Sequence, residues 1–166
     1  VRPGGVIAFI TSKGTMDKET EAVRKYIAQR ADLLGAIRLP NNTFQDAAGT
    51  VVTSDILFLQ KRSSMIDREP NWVHLGTDAN GLKMNAYFVE HPEMILGQMK
   101  EVTGPYGLET ACVPAEGESL NAQLASAIGN IHGEIQSVDL DELPDVGNDD
   151  LPADPNVRNF SYAVVD

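Results

Sequence analysis

Arg2-Pro-Gly-Gly-Val-Ile-Ala-Phe-Ile-Thr11, running on through Ser12-Lys13-Gly14-Thr15 into a helical pattern, decides how this chain is read. The five successive apolar residues Val6 to Ile10 lack the alternation of a strand with one wet face, and fit a parallel strand covered on both. Thr11, Ser12, Gly14 and Thr15 follow its carboxyl end, where open α/β sheets place their ligands. Glycine permits a tight turn there, and the hydroxyls either cap the next helix or touch a substrate. A doubly covered strand needs neighbours and residue 1 is not methionine, so the expectation is a piece of a longer polypeptide or a processed product.

Outward from this stretch, Met16 to Ala31 reads as one helix with Met16, Val23, Tyr26, Ile27 and Ala31 on its apolar face. Leu33 to Leu39 and Thr53 to Gln60 read as two further strands. The unit is strand, helix, strand, loop, strand, and the first crossover is long enough for a right-handed parallel connection, which puts residues 5–11 and 33–39 in one sheet. Asp55 interrupts an apolar strand, so it either faces solvent at the strand entrance or closes a local network of hydrogen bonds or charge. The loop Pro40-Asn-Asn-Thr-Phe-Gln-Asp46 also follows a strand end; Asn41, Asn42 and Phe44 could contact a base or a neighbouring domain.

Residues 63–83 mix Pro70, Asn71, Gly76, Asp78, Asn80 and Gly81 and read as a linker or irregular excursion with its tip at Asn80-Gly81. Residues 84–138 read as a mainly helical extension. A short helix starts near Asn85, Pro92 opens a second, Gly104-Pro-Tyr-Gly107 turns the chain, and Leu108 to Val113 is a candidate edge strand. Ser119 can cap a helix carrying Leu120, Leu124, Ile128, Ile131 and Ile135. From 139 to 166 the chain is acidic and proline-rich, with the signature of a partly disordered tail that ends in the alternating Phe160, Tyr162 and Val164.

Charge is divided unevenly along the 166 residues. Residues 1 to 62 carry a net +3 and residues 63 to 166 a net −14, which together make the total of −11. An acidic second half repels a phosphate backbone, so contact with nucleic acid falls to the first half. Cys112 is the only cysteine, which excludes a disulfide within the chain and a cysteine-rich metal site and suits a reducing, cytoplasmic setting. No run of 18 apolar residues is present and no charged, apolar and small-residue sequence opens the chain, so neither a membrane-spanning helix nor a signal peptide is expected. His74, His91 and His132 are too scattered for a metal-ligand pattern, and there is no Walker loop, no Gly-x-Gly-x-x-Gly and no His-Glu-x-x-His.

The order of segments resembles a known family. Arg2 to Thr11, Ala22-Val-Arg-Lys-Tyr-Ile27, Leu34-Gly-Ala-Ile-Arg-Leu-Pro40, Phe44 and Thr53-Ser-Asp-Ile-Leu-Phe-Leu-Gln-Lys61 look like the carboxyl-terminal half of the catalytic domain of adenine-specific DNA methyltransferases of the gamma type. That family includes the modification subunits of type I restriction systems and helicase-methylase fusions. Asn85 to Gly97 looks like the segment that follows the methylase region in the fused group. The resemblance covers about residues 1 to 132, most closely up to Arg62.

It implies an α/β fold: a partial Rossmann-like methyltransferase sheet, residues 1–62, with an antiparallel last strand, 53–60, inserted between the other two. The family binds S-adenosylmethionine through a glycine-containing motif on its first strand and orients adenine with an Asn-Pro-Pro-aromatic motif. Neither motif is present here, so the resemblance implies a fragment inactive alone, with S-adenosylmethionine bound by the parent and not by the isolated chain. No residue here is expected to be catalytic. Thr11, Ser12, Gly14 and Thr15, with Asn41, Asn42 and Phe44 on the adjacent rim, are the expected substrate-cleft residues. DNA, the missing amino-terminal half of the domain and a helicase or nuclease region are the partners so implied. A second functional class fits the charge: an interaction or scaffold module whose acidic second half docks on a basic helicase or nuclease region, supported by the net −14 of residues 63 to 166 and the apolar stripe Leu120, Leu124, Ile128 and Ile131.

Overall fold

The computed structural model describes residues 1–104 and 107–135, so the expectations for the acidic tail lie outside the described residues. Its centre is a three-stranded sheet of β1 (Val6–Ser12), β2 (Ala31–Leu39) and β3 (Ser54–Lys61), in the order β1-β3-β2. β3 runs antiparallel to both neighbours, so β1 and β2 point the same way without touching. The third strand thus sits between the other two, but the Rossmann-like parallel sheet is corrected. Every ladder is antiparallel, and the parallel contact found among the described residues is a single bridge between Arg38 and Ile95.

A cross-strand charge explains why β3 lies beside β2. Arg38 stands directly opposite Asp55 in the register, and the two side chains are fully buried against each other. A lone buried carboxylate would be costly, and this register removes that cost. The expectation that Val6 to Ile10 is covered on both faces is also corrected. β1 is an edge strand whose burial alternates, with Ile7, Phe9 and Thr11 half-buried while Val6, Ala8 and Ile10 are exposed.

The single helix expected over residues 16–31 forms as two short ones, α1 (Gly14–Asp17) and α2 (Ala22–Ala28). Lys18 between them is extended, with φ −64° and ψ 136°. α2 is also turned from its apolar stripe: Val23 and Tyr26 are exposed at 55% and 59%, while Arg24 and Ala28 are buried. Arg24 Nε donates to the Val73 carbonyl at 2.6 Å and Nη1 to the Lys18 carbonyl at 2.7 Å, so two backbone acceptors outcompete the hydrophobic stripe. Burial lowers the pKa of this guanidinium, and nearby Glu21, Asp17 and Glu19 oppose that fall.

After α3 (Gln45–Ala48), which ends on Gly49 at φ 64°, the chain enters β3. The excursion 63–83 contains a 3-10 turn at Asn71–Val73 and β4 (Leu75–Thr77), which pairs with β5 (Lys83–Asn85). Gly81 supplies the positive φ, 83°, at the tip of this hairpin. Asn85 then caps α4 (Ala86–Glu90), its side chain accepting from the Tyr87 amide.

The mainly helical extension is the other correction. β6 (Gln98–Gly104) and β7 (Gly107–Val113) pair as a second hairpin, and among the described residues only α5 (Leu120–Gly129) is a long helix. Leu120, Leu124 and Ile131 pack against the buried core of Ile37, Leu57, Met84 and Phe88. Ile128, the fourth residue of that stripe, is exposed at 49%. No helix among the described residues is long and apolar enough to cross a membrane.

The second hairpin is docked tightly where it starts. A Cβ added at Gly97 would fall against the Val113 carbonyl and within 2.8 Å of Cys112 Sγ. Gly97→Ala is therefore expected to destabilise by about 1–3 kcal/mol through overpacking. Thermal unfolding checks the size, and faster native-state labelling of Cys112 would show that the hairpin has loosened.

Candidate functional site

Because β1 and β2 run in the same direction, their following loops emerge at one end of the sheet. Backbone hydrogen bonds fasten that end. Lys13 N–H donates to the Thr53 carbonyl at 3.0 Å, and Val52 N–H to the Asn41 carbonyl at 2.8 Å. The hairpin β6–β7 closes over it: Asn41 N–H donates to the Cys112 carbonyl at 2.7 Å, and Cys112 N–H to Thr53 Oγ1 at 2.9 Å. Lys13 Nζ reaches across to Thr110 Oγ1 at 3.0 Å.

These contacts bound a cleft of about 550 Å³, lined by Lys13, Asn41, Thr53, Thr103, Glu109 and Thr110 among others. Its chemistry is that of donors. The Lys13 ammonium gives one of its three hydrogens to Thr110 and keeps two. Thr53 and Thr110 accept through their hydroxyl oxygens in the contacts above, which leaves each O–H free to donate. Glu109 on the rim supplies the opposing charge and favours ligands whose anionic group lies at the Lys13 side. Cys112 is not a nucleophile here: it is fully buried, and burial pushes its thiol up to about 12, Arg38 opposing and Asp55 adding to the rise.

The expected cleft residues divide between two places. Asn41 lines the cleft just described, whereas Ser12, Gly14 and Thr15 line a separate shallow concavity of about 360 Å³ with Lys18, Thr20 and Val23. Thr11 Oγ1 lies 2.6 Å from Thr15 Oγ1, a hydrogen bond that folds the loop back on itself. Asn42 is exposed, and Phe44 is half-buried against the core, where it covers the sheet end. Lys13, Thr53 and Thr110 become site residues only through hairpin β6–β7, which joins positions far apart in the sequence and leaves no local signal at any of the three.

Beneath this end lies the charge network of the core. Arg38 Nε and Nη2 donate to the two oxygens of Asp55 at 2.8 and 2.9 Å, and Nη2 also donates to Asp17 Oδ1 at 2.9 Å. Arg38 Nη1 and Asp17 Oδ2 approach to 2.9 Å without hydrogen-bond alignment. The Phe88 ring lies 4.2 Å from the guanidinium. Burial alone would lower the Arg38 pKa, but Asp55 and then Asp17 carry it above the ordinary arginine value. Asp55 thus closes a network, one of the two alternatives its sequence context left open.

Two other groupings differ in chemistry. A concavity of about 560 Å³ between the β4–β5 turn and β6 has an apolar floor of Met84, Phe88 and Ile95, and its Asp78 carboxylate already accepts from the Asn80 and Leu82 amides. It is marginally larger than the cleft, but its one carboxylate is satisfied within the turn. Glu21, Glu69 and His74 converge closely enough to offer three metal ligands. The Lys25 ammonium already pairs with Glu21 at 3.1 Å and Glu69 at 2.9 Å, and the His74 hydrogen bond, then Lys25, holds Glu21 below the usual carboxylate range. The cluster is an ion-pair network centred on Lys25.

Comparison with protein-family models, with curated proteins and with solved structures gives no match for this chain.

Proposed function

We propose that this chain forms a nucleotide-facing, non-catalytic wall of an S-adenosylmethionine-dependent DNA adenine methyltransferase. The observation that carries the reading is the cleft at the common carboxyl end of β1 and β2, where a lysine, an asparagine and two threonines line one space. A phosphate or the polar edge of a flipped adenine meets donors there, with the apolar Val52 and Val102 beside them. The methyl transfer itself rests on the resemblance of residues 1 to 62. Because the sheet of this chain is antiparallel, the cofactor-binding frame belongs to the rest of the parent, with the glycine motif and the Asn-Pro-Pro-aromatic motif. A reducing cytoplasmic setting is part of the same proposal and is supported by the free, buried Cys112.

Within this reading Lys13 neutralises phosphate, the Thr53 and Thr110 hydroxyls donate to it or to a base edge, and the hairpin excludes water from one side. These groups position a nucleotide; none abstracts its proton. The test uses the chain alone. Titration with adenosine monophosphate, followed by amide resonances, is expected to move Lys13, Asn41, Thr53 and Thr110 in a saturable way, and Lys13→Ala is expected to weaken that binding by about tenfold. Shifts confined to other residues would sink the cleft assignment. Calorimetry with S-adenosylmethionine is expected to show nothing tighter than about 1 mM, so saturable micromolar binding would contradict the division of labour.

A further inference from the structure

Cations gather at the end of the sheet opposite the cleft, where β3 finishes and β1 and β2 begin. Arg30, Lys61, Arg62 and Arg68 surround the exposed bend Ser63-Ser64, which separates two concavities of about 340 and 280 Å³. Both concavities share Lys61, Arg62, Ser63 and Ser64; Arg68 bounds one and Arg30 the other. The acid that lines this surface is Asp32, and Arg62 already holds it while also donating to the Ala28 carbonyl. Lys61 and Arg68 are exposed and have no ion-pair partner among the described residues. The whole chain carries a net −11, so a cationic patch is not a by-product of a basic composition.

A second observation gives the patch a stacking surface. The Arg30 guanidinium lies 3.6 Å from the centroid of the Tyr26 ring, and Tyr26 is more than half exposed on α2. Met65, which lines the same concavity as Arg30, is exposed as well. Stacked aromatic and guanidinium planes beside free cations are the elements that hold unpaired bases and their phosphates together.

We propose that this surface binds single-stranded nucleic acid, with phosphates crossing the Ser63-Ser64 bend between Lys61 and Arg68 and a base resting on Tyr26 and Arg30. A duplex keeps its base faces buried in its own stack and would use only the cations, whereas a single strand uses both features. The surface lies apart from the cleft, at the other end of the strands, and does not depend on methyl transfer.

The experiment is fluorescence anisotropy of the full chain with a labelled oligothymidylate of about 12 nucleotides. Saturable binding is expected at low salt. The variant Lys61→Glu/Arg68→Glu is expected to bind at least about tenfold more weakly, with a log–log salt slope flatter by about 1.4 for two lost phosphate contacts. Tyr26→Ala is expected to weaken binding about 5- to 160-fold with the slope unchanged. Lys100→Glu, an exposed cation of β6 that lines neither this surface nor the cleft, is expected to bind as the unsubstituted chain does, which separates this surface from a general loss of positive charge. Thiol protection of Cys112 confirms that each variant is folded, and Lys61→Gln/Arg68→Gln serves if charge reversal unfolds the chain. Absence of saturable binding, tighter binding of a duplex of the same length, or an equal loss in Lys100→Glu would each overturn the proposal.

Discussion

Replacing Arg38 by Met is expected to destabilise the fold by about 3–5 kcal/mol, the usual cost of leaving a buried charge without its partner. Arg38 is fully buried, and so is the carboxylate it leaves behind on Asp55. The loss extends beyond one pair, because Asp17 Oδ1 accepts from both Arg38 and the Asn85 amide, while Asn85 Nδ2 donates to the Met16 and Trp72 carbonyls. One guanidinium therefore ties β2, β3, α1 and the start of α4 together.

The sign of the pH dependence follows from Asp55. Burial raises its carboxyl above the ordinary value, and Arg38 is the main group that pulls it down. Without Arg38 the folded state holds a proton that the unfolded state has released, so the destabilisation in Arg38→Met is largest at neutral pH. It shrinks as pH falls toward the unfolded value near 3.8. Urea unfolding at pH 7.5 and pH 5 measures both. The double variant Arg38→Met/Asp55→Leu is expected to recover much of the loss, since an apolar pair of similar volume replaces the ion pair. Equal destabilisation in the single and double variants would show that the side-chain volume, not the charge, holds this site.

This network also marks how far the sequence could be read. Asp55 within an apolar strand announced a partner, and strand β3 formed where its pattern lay, but nothing local named Arg38 seventeen positions away as the partner. The same blindness explains α2. Its stripe of Val23, Tyr26 and Ile27 is a sound helical pattern, yet Arg24 turned inward because the Val73 and Lys18 carbonyls, distant or off-pattern, needed a donor. Val6 to Ile10 misled in another way: a run of apolar residues signals burial on both faces, while β1 has the edge position and an open face. In the cleft, Asn41 was visible as a loop residue after a strand, whereas Lys13 became a site only once the hairpin brought Thr110 within 3.0 Å. Hairpin β6–β7 itself was half legible, in the Gly104 to Gly107 turn and in the strand after it; β6 was hidden because Met99 also fits a helix opened by Pro92.

Cys112 gives the other large effect, at the alkaline end. Its thiol is buried with no exposed surface, and its pKa stands at about 12 against an ordinary value of 9.0. Between those two values the unfolded chain has lost the proton and the folded chain keeps it, so this group's stabilisation is fully present below pH 9 and disappears as pH rises toward 12. A shift of this size corresponds to a loss of up to about 4 kcal/mol across the window. Denaturant unfolding from pH 8 to pH 11 is expected to show that decline, and Cys112→Ala is expected to be less stable at pH 8 but flatter with pH. The same burial makes Cys112 a reporter of opening. At pH 8 an aromatic disulfide reagent should label the native chain only as fast as the β6–β7 hairpin lifts from Asn41 and Thr53, and the unfolded chain at once. Rapid labelling of the native protein, or a Cys112→Ala variant with an unchanged alkaline slope, would show that the thiol is not sealed behind the hairpin and that another group sets the alkaline limit.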